Sequence, residues 1–183
     1  MRYYPAFSAI LAASLLSAGA VRAEPSKKWS ATSDVLAIGL PAAAAAFSYS
    51  QSDTRGLEQL AFSQALTVAS SGILKGLIDA PRPNGQDNRG FPSRHTAVAF
   101  SAAGYMDLRY GKELGFWRPL AYGAASLVGL GRVQGHEHHW VDVLGGAALG
   151  YTLSTYWTEP SQAGRLVVFP AQSGVGLAWH RTF

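Results

Sequence analysis

The sequence predicts an all-α fold, a bundle of about five to six helices that ends in a short C-terminal β-hairpin. Apolar residues recur at three- and four-residue steps through much of the chain, which indicates helices with one buried face. Segments rich in Gly, Pro and Asn separate these stretches, and only the C-terminal segment shows the short, β-branched pattern of strands. A chain of 183 residues has room for one ordinary domain.

The composition narrows the class of function. Hydrophobic residues make up 48% and charged residues 14% of the chain, which excludes a disordered protein. The chain has no Cys, so disulfides, thiolate nucleophiles and zinc fingers are excluded. The formal net charge is +4, but Lys and Arg are dispersed, whereas nucleic-acid binding needs a concentrated basic patch. We therefore expect an enzyme that acts on a small anion, and no nucleic-acid partner.

The N-terminal segment has the pattern of a secretory signal peptide. Arg2 precedes an uncharged apolar run, and small residues at Val21 and Ala23 form a cleavage site. We expect residues 1–23 to be removed and residues 24–183 to form the mature domain in the periplasm or cell envelope. An uncleaved membrane anchor is the alternative, although the run is short for the roughly 20 residues that a span needs.

Five helices are predicted in the remaining chain. They span residues 34–49, 53–79, 93–110, 113–133 and 138–157. Residues 80–92 form a loop, and the hairpin pairs residues 166–169 with residues 175–183. The uncharged runs of the helices are mostly shorter than the about 17–25 residues of a membrane span. A soluble or membrane-peripheral domain is therefore favoured over an integral inner-membrane bundle whose site faces the periplasm.

Lys75 and Arg82 form the first of three polar clusters. Lys75 lies near the end of a predicted helix and Arg82 follows just past the helix break, so two turns place both side chains on roughly the same side. Such a pair can hold an oxyanion from two directions, because Arg presents a planar set of donors. The alternative is an ion pair of Lys75 with Asp79 at i,i+4, with Arg82 as an ordinary loop cation.

The second cluster is the turn that leads into the third predicted helix. Ser93 fits the N-cap position, which leaves the backbone N–H groups of Arg94, His95 and Thr96 without helical partners. A helix N-terminus of this kind binds phosphate through its free N–H groups and the positive end of its dipole. His95 would lie at the mouth of this cradle. The alternative is an ordinary capped helix with an exposed His.

The third cluster contains Arg132 and a group of His residues. His138 and Asp142 are four residues apart and hence on one helical face, so the carboxylate can fix the tautomer of the imidazole. The other ring nitrogen is then free as a nucleophile or base. A metal site is one alternative, because His136 and His139 lie at i,i+3 and Asp142 can supply an oxygen ligand. A group of His residues without function is another.

Together the clusters resemble the three-part signature of the type 2 phosphatidic acid phosphatase (PAP2) family. The matching residues, in the family's order, are Lys75-x6-Arg82-Pro83, Pro92-Ser93-Arg94-His95 and Arg132-x5-His138-x3-Asp142. The superfamily also contains bacterial non-specific acid phosphatases and vanadium haloperoxidases. The resemblance, which covers residues 75–142, implies a helical-bundle phosphatase over residues 24–183 that uses no metal and no cofactor.

The resemblance also implies a role for each matching residue. His138 would be the nucleophile that forms a phosphohistidine, Asp142 would orient it, and His95 would protonate the leaving alkoxide. The phosphoryl oxygens would be held by Lys75, Arg82, Arg132, Ser93 and the backbone at Arg94. Because the general acid must be protonated, we expect activity to fall above neutral pH.

Two residues depart from the family pattern. Arg94 stands where the family usually has Gly, and we expect it to affect specificity. Gly131 stands where the family has Ser, and we expect this to remove one hydroxyl donor and little else. The substrate is expected to be a lipid phosphate or a small soluble phosphate ester, with membrane-surface contact in the first case. A vanadate-dependent haloperoxidase and a non-catalytic phosphate- or lipid-binding envelope protein are the alternatives.

Overall fold

The computed structural model describes residues 25–115, 117–161, 165–171 and 174–180. The predicted signal peptide, residues 1–23, lies outside the described residues. The elements in chain order are α1 (Pro25–Ser50), α2 (Thr54–Leu77), α3 (Arg94–Leu114), α4 (Trp117–Gln134), α5 (Trp140–Trp157), β1 (Arg165–Ala171) and β2 (Gly174–His180). The five helices in this part of the chain confirm the predicted all-helical bundle.

The first two helices are joined by a tight turn and a side-chain cap. Helix α1 begins well before the predicted start at residue 34, and it contains Pro41 in its interior. Asp53 is the N-cap of α2, and its carboxylate accepts a hydrogen bond from Gly56 N–H at 2.8 Å. The side chain thus satisfies one of the N–H groups that the first turn of a helix leaves free.

The last helix begins at Trp140 and not at residue 138. His139 is the N-cap of α5, and the carboxylate of Asp142 accepts a hydrogen bond from the backbone N–H of His139 at 2.8 Å. This reciprocal capping box fixes the start of the helix. His138 therefore lies in the turn before α5, which corrects the prediction that it shares a helical face with Asp142.

The C-terminal strands β1 and β2 pair antiparallel. Arg165 lies opposite His180 and Ala171 lies opposite Gly174. The C-terminal hairpin stays a prediction, and the side chains of both strands lie outside the described residues.

Helix α3 is central, since it contacts each of the other four helices. The inward positions of its N-terminal half carry small side chains, and Ala97, Ala99, Ala102 and Ala103 are at most 1% exposed. Side chains of this size leave little volume between neighbouring backbones, so the helix axes can approach closely. The polar groups at the N-terminal end of α3 therefore lie close to the ends of the adjacent helices.

Two glycines of α5 allow that helix to lie against the N-terminal half of α3. A Cβ at Gly146 would collide with the carbonyl oxygen of Ser93, and a Cβ at Gly150 would collide with that of Ala97. Any larger residue at these positions would push the two helices apart. The close packing brings the second and third sequence clusters together.

Glycines also allow α1 to lie against the C-terminal end of α4. A Cβ at Gly131 would lie 2.8 Å from Ser33 Cβ and 3.0 Å from the carbonyl oxygen of Trp29, and a Cβ at Gly135 would collide with Ser30 Oγ. The expectation that Gly131 removes a hydroxyl and little else is therefore incomplete. Its missing side chain also lets α1 reach the end of the bundle that carries the polar clusters.

One helix in the described ranges, over Ser26–Ser50, is long and apolar enough to cross a membrane by its length and composition. The core helix of a soluble protein passes the same test, and this helix contributes Leu36, Ala37 and Leu40 to the buried core. The helix thus fits both a soluble or peripheral domain and a membrane-embedded one.

Candidate active site

Lys75 lies in the last turn of α2, and its ammonium group holds the loop that leads to α3. Nζ donates hydrogen bonds to the carbonyl oxygens of Arg89 at 2.5 Å and Gly90 at 3.1 Å. The structure thus directs Lys75 to this loop and not to Asp79. Burial, together with the positive charge of Arg82, lowers the pKa of Lys75 to about 8. The ammonium form still predominates at neutral pH.

The loop between α2 and α3 folds back on itself. Ala80 N–H donates to the carbonyl oxygen of Asn88 at 2.9 Å, and Gly90 N–H donates to that of Ala80 at 2.8 Å. A Cβ at Gly90 would lie 2.9 Å from the Ala80 oxygen and 3.1 Å from Asp142 Oδ2, so a larger residue would separate these backbones. The fold of the loop places Arg82 beside the start of α3.

Arg82 projects from this loop with its guanidinium between two carboxylates. Its Nε donates to Asp87 Oδ1 at 2.7 Å, while its Nη1 lies 3.5 Å from Glu137 Oε2. The side chain is mostly buried, so its charge is screened less than that of a surface cation. Asp87 therefore fixes the orientation of a guanidinium that acts strongly on its neighbours.

Arg132 lies in the last turn of α4 and is 5% exposed. Its Nη1 donates to Asp34 Oδ1 at 2.7 Å, and its Nη2 lies 3.5 Å from Glu137 Oε2. Its Nε is buried and has no hydrogen-bond partner among the described residues. Leaving a buried donor unpaired costs free energy, and a phosphoryl oxygen is an acceptor that would satisfy it.

Ser93 occupies the N-cap position of α3, as the sequence predicts, but its side chain makes no capping hydrogen bond. Its Oγ instead accepts from the Thr96 hydroxyl at 3.0 Å, and its backbone N–H donates to the carbonyl oxygen of Asp142 at 2.9 Å. The Ser93 side chain is buried, whereas Arg94 is exposed. The first turn of α3 is thus held against α5 by its backbone.

His95 lies in the first turn of α3 beside a carboxylate from α1. Its Nε2 is 3.2 Å from Asp34 Oδ1, the same oxygen that accepts from Arg132. Burial and the Arg132 cation lower the pKa of His95 to about 4, although Asp34 acts in the opposite direction. The ring is therefore neutral at pH 7 in the free protein. A bound phosphate dianion would favour its charged form.

His138 is buried in the turn between α4 and α5, and its side chain is 2% exposed. Its Nδ1 lies 3.5 Å from Asp142 Oδ2, and its backbone N–H donates to the carbonyl oxygen of Arg132 at 3.2 Å. Burial and the nearby cations lower the pKa of His138 to about 3. The ring is thus in the neutral form that a nucleophile requires.

The predicted site residues are gathered around His138. The groups whose positive charges lower its pKa are Lys75, Arg82, Arg132 and His95. Arg94 lies at the edge of this cluster, because its charge acts on Lys75 and His95 from an exposed position. The described residues contain no group of three or more His, Asp or Glu side chains that could hold a metal ion.

Sequence reasoning did not identify two carboxylates of the site, Asp34 and Glu137. Asp34 contacts both His95 and Arg132, and Glu137 contacts both Arg82 and Arg132. Asp34 stands directly before a long uncharged run, and Glu137 is adjacent to the proposed nucleophile. The sequence context of each carboxylate could have marked it as a candidate site residue. Neither position, however, indicates which cation the carboxylate contacts in the fold.

Comparisons with known proteins agree with this geometry. The family model described as the PAP2 superfamily matches residues 56–163. A lipid A 1-phosphatase of Porphyromonas gingivalis is 35% identical over 52% of this chain and 23% of its own length. A lipid phosphate phosphatase 2 of Arabidopsis thaliana is 32% identical over 39% of this chain and 28% of its own length.

A third relative matches more of its own length. A lipid A 4′-phosphatase of Helicobacter pylori is 29% identical over 75% of this chain and 73% of its own length. The chain thus spans about a quarter of the first two relatives and most of the third. No solved structure matches it. The family match covers more than half of the chain, including every residue of the three clusters, so the chain belongs to the PAP2 superfamily.

Proposed function

We propose that this chain is a phosphatase that hydrolyses phosphate monoesters through a phosphohistidine on His138. The observation that carries the proposal is the set of cations around a buried neutral imidazole: Lys75, Arg82 and Arg132 all act on His138. Phosphoryl transfer depends mainly on positioning and charge stabilisation, which such a set supplies. The protein's own cations serve as the electrophilic groups, and the proposal needs no metal.

The phosphoryl group would bind where donors lack partners. Arg132 offers its unpaired Nε, and the first turn of α3 offers backbone N–H groups at Arg94 and His95 that the Ser93 side chain does not cap. Lys75 and Arg82 supply further positive charge near His138. In this proposal the phosphorus atom binds beside the ring of His138.

The chemical step then follows from the protonation states. The neutral ring of His138 attacks the phosphorus, the bond from phosphorus to the ester oxygen breaks, and the imidazolium product faces Asp142. His95, protonated once the dianion is bound, gives its proton to the leaving alkoxide. Water then attacks the phosphohistidine while His95 takes a proton from it. Inorganic phosphate is released and both rings return to their starting states.

A lipid phosphate is the substrate class that the surface favours. Five apolar side chains at the site-bearing ends of α2 and α5 are each more than half exposed; this apolar rim consists of Ile73, Leu77, Trp140, Val141 and Leu144. An acyl chain laid over such side chains would remove apolar surface from water. The names of the relatives, two lipid A phosphatases and a lipid phosphate phosphatase, support the same class. We accordingly place the enzyme at a membrane surface of the cell envelope.

The proposal is tested by comparing a long-chain phosphatidic acid in detergent micelles with glycerol 3-phosphate and p-nitrophenyl phosphate. We expect turnover of all three, with the highest kcat/KM for the lipid, and no turnover by His138→Ala. Equal turnover by the variant would contradict the nucleophile. Phosphate binding without hydrolysis of any of the three esters would indicate a non-catalytic binding protein.

The apolar rim has its own test, which leaves the chemistry intact. The double variant Leu77→Gln/Leu144→Gln is expected to raise KM for the lipid about tenfold, because it removes two apolar contacts. The KM for p-nitrophenyl phosphate should not change. Tyr49→Gln, an exposed aromatic near the opposite end of the bundle, is the matched control and should change neither value. Equal effects on the lipid and the soluble ester would contradict the assignment of the rim.

A further inference from the structure

The Glu137 carboxylate contacts both arginines of the site. One of its oxygens, Oε2, lies 3.5 Å from Arg82 Nη1 and 3.5 Å from Arg132 Nη2, so a single atom bridges the two guanidinium groups. The same oxygen lies 3.3 Å from Asn84 Nδ2, and Oε1 lies 3.5 Å from Ser30 Oγ. The side chain is about one-fifth exposed. A negatively charged oxygen thus lies between the two arginines to which the proposed function assigns the phosphoryl group.

The contacts of the Glu137 carboxylate are longer than those of the two other carboxylates that face the arginines, Asp34 and Asp87. Asp87 accepts from Arg82 at 2.7 Å and Asp34 accepts from Arg132 at 2.7 Å, which are the distances of strong charge-assisted hydrogen bonds. Every polar contact of the Glu137 carboxylate is 3.3 Å or longer. Asp34 and Asp87 therefore hold the guanidinium groups in place, whereas Glu137 lies loosely between them.

The unsatisfied donor of Arg132 indicates where a ligand would compete with Glu137. Nε and Nη2 lie on one edge of the planar guanidinium, the edge that binds an oxyanion with two parallel hydrogen bonds. Nε has no partner in the described part of the chain, while Nη2 is the nitrogen that faces Glu137. A phosphoryl group that takes both nitrogens must come close to the Glu137 carboxylate, and the two negative charges repel each other.

We propose that the Glu137 carboxylate occupies the arginine pair when no ligand is bound and is displaced by the phosphoryl group, so that it weakens the binding of inorganic phosphate. The inference rests on the proposed function, because it assumes that the arginine pair is the phosphate site. Its consequence is fast release of the product. An anion that binds all these cations without a competitor would leave slowly, since most differences in affinity between related complexes are differences in the dissociation rate.

A competing role for Glu137 predicts the opposite result. If the carboxylate orients the two arginines, its removal should leave them mobile and weaken phosphate binding. If it competes with the ligand, its removal should strengthen phosphate binding, because one repelling charge is lost. Glu137→Gln keeps the size of the side chain and an acceptor oxygen, so the sign of the change in affinity distinguishes the two roles.

The test measures inorganic phosphate binding by isothermal titration calorimetry, and its Ki in the hydrolysis of p-nitrophenyl phosphate, with thermal unfolding as a check on folding. We expect Glu137→Gln to lower both Kd and Ki about tenfold, with an unchanged unfolding midpoint and an equal or lower kcat. An unchanged or higher Kd would overturn the proposal.

Two controls separate competition from a general change in charge. Asp87→Asn removes the same charge beside the same Arg82, but it removes an orienting contact, so we expect weaker phosphate binding. Glu159→Gln removes an exposed carboxylate paired with Arg55, and the affinity should not change. If Asp87→Asn strengthens binding as much as Glu137→Gln does, the effect is general electrostatics and the proposal is wrong.

The same data distinguish this inference from the proposed function. Wild-type protein that binds phosphate but hydrolyses no ester would contradict the phosphatase, while the calorimetric comparison of variants would still decide the role of Glu137. Wild-type protein that hydrolyses esters, with a Glu137→Gln variant of unchanged affinity, would contradict only the inference. Wild-type protein that does neither would overturn both.

Discussion

The two ends of helix α3 carry one buried arginine cluster each, and the two clusters differ in how fully their polar groups are paired. At the C-terminal end, Arg109 donates to both oxygens of Asp53 at 2.7 and 2.8 Å and to the carbonyl oxygen of Glu159 at 2.9 Å. Asp53 also accepts from Tyr110 and from the backbone of Gly56. Although burial raises it, the hydrogen bonds from Arg109 and Tyr110 hold the pKa of Asp53 below its ordinary value.

The N-terminal end of α3 is incomplete by comparison. Arg132 keeps an unpaired Nε, His138 has an Nδ1 without a hydrogen bond within the described residues, and Glu137 makes only long contacts. Both clusters are buried, so both carry the cost of desolvating charges. Only the first offsets this cost with a complete set of hydrogen bonds within the protein.

The difference separates a structural cluster from a functional one. A fully paired buried cluster stabilises the fold and has no capacity left for a ligand. A buried cluster with unpaired hydrogen-bond donors can bind a ligand of the opposite charge through those donors. The number of arginines and carboxylates alone would not distinguish the two ends, whereas the state of their hydrogen bonds does.

Replacing one arginine at each end tests this comparison, and the largest effect is expected at the open end. Arg132→Met should lower kcat/KM for p-nitrophenyl phosphate about 10³-fold, because it removes a donor aimed at the phosphoryl oxygens. The unfolding midpoint should change little, since the variant also removes a buried unpaired Nε. A large loss of stability together with full activity per folded molecule would reverse the roles of the two clusters.

The matching change at the closed end should have the opposite profile. Arg109→Met leaves the mostly buried Asp53 carboxylate without its cation, which is expected to cost about 3 kcal/mol in the free energy of unfolding. Thermal unfolding should show a midpoint lower by about 10 °C. Hydrolysis at a temperature where the variant remains folded should match the wild type. Loss of kcat without loss of stability would sink the interpretation of this end as structural.

Asp34 connects the open end to helix α1, and its removal should give an intermediate effect. Asp34→Asn is expected to lower kcat/KM about tenfold, because Arg132 loses the carboxylate that holds it. The same change removes the negative charge that raises the pKa of His95, so the alkaline limb of the pH profile should move to lower pH. A merely structural role would lower the unfolding midpoint and leave that limb in place.

The pH profile itself should show the smallest but most specific effect. His138 must be neutral and His95 must be protonated, and burial lowers the pKa of both rings below the ordinary value of a histidine. We expect kcat/KM to fall as pH rises above the pKa of His95. The alkaline limb of kcat should lie at higher pH than that of kcat/KM, because the bound phosphate dianion stabilises the imidazolium form of His95. His95→Asn should abolish the alkaline limb, and a wild-type rate that climbs to pH 9 would contradict the general acid.

The fold was largely predictable because helix signals are local. Apolar periodicity and the segments rich in Gly, Pro and Asn predict the five helices in their observed order. The ends that shifted depend on contacts between distant residues. The start of α5 is set by the capping box of His139 with Asp142, and the length of α1 is set by its packing on Gly131 and Gly135.

The site residues that belong to one of the three spaced motifs could be predicted from the sequence. A site residue that lies on a helix distant in the chain could not. Lys75, Arg82 and His138 were identified from their clusters, and the structure places them together. Asp34 lies far from them in the chain, and it enters the site because Gly131 admits α1. The pKa of His95 lies lower than the sequence alone suggested, because burial and the Arg132 cation outweigh the Asp34 carboxylate, which raises it.

A covalent intermediate on His138 is tested by a rapid acid-free quench of the enzyme during hydrolysis of a ³²P-labelled phosphate ester, followed by peptide mapping of the labelled protein. We expect an acid-labile, base-stable phosphoryl group on His138 that forms and decays at the rate of turnover, and no label in His138→Ala. Label on a different residue, or steady turnover with no labelled protein at any time, would contradict it.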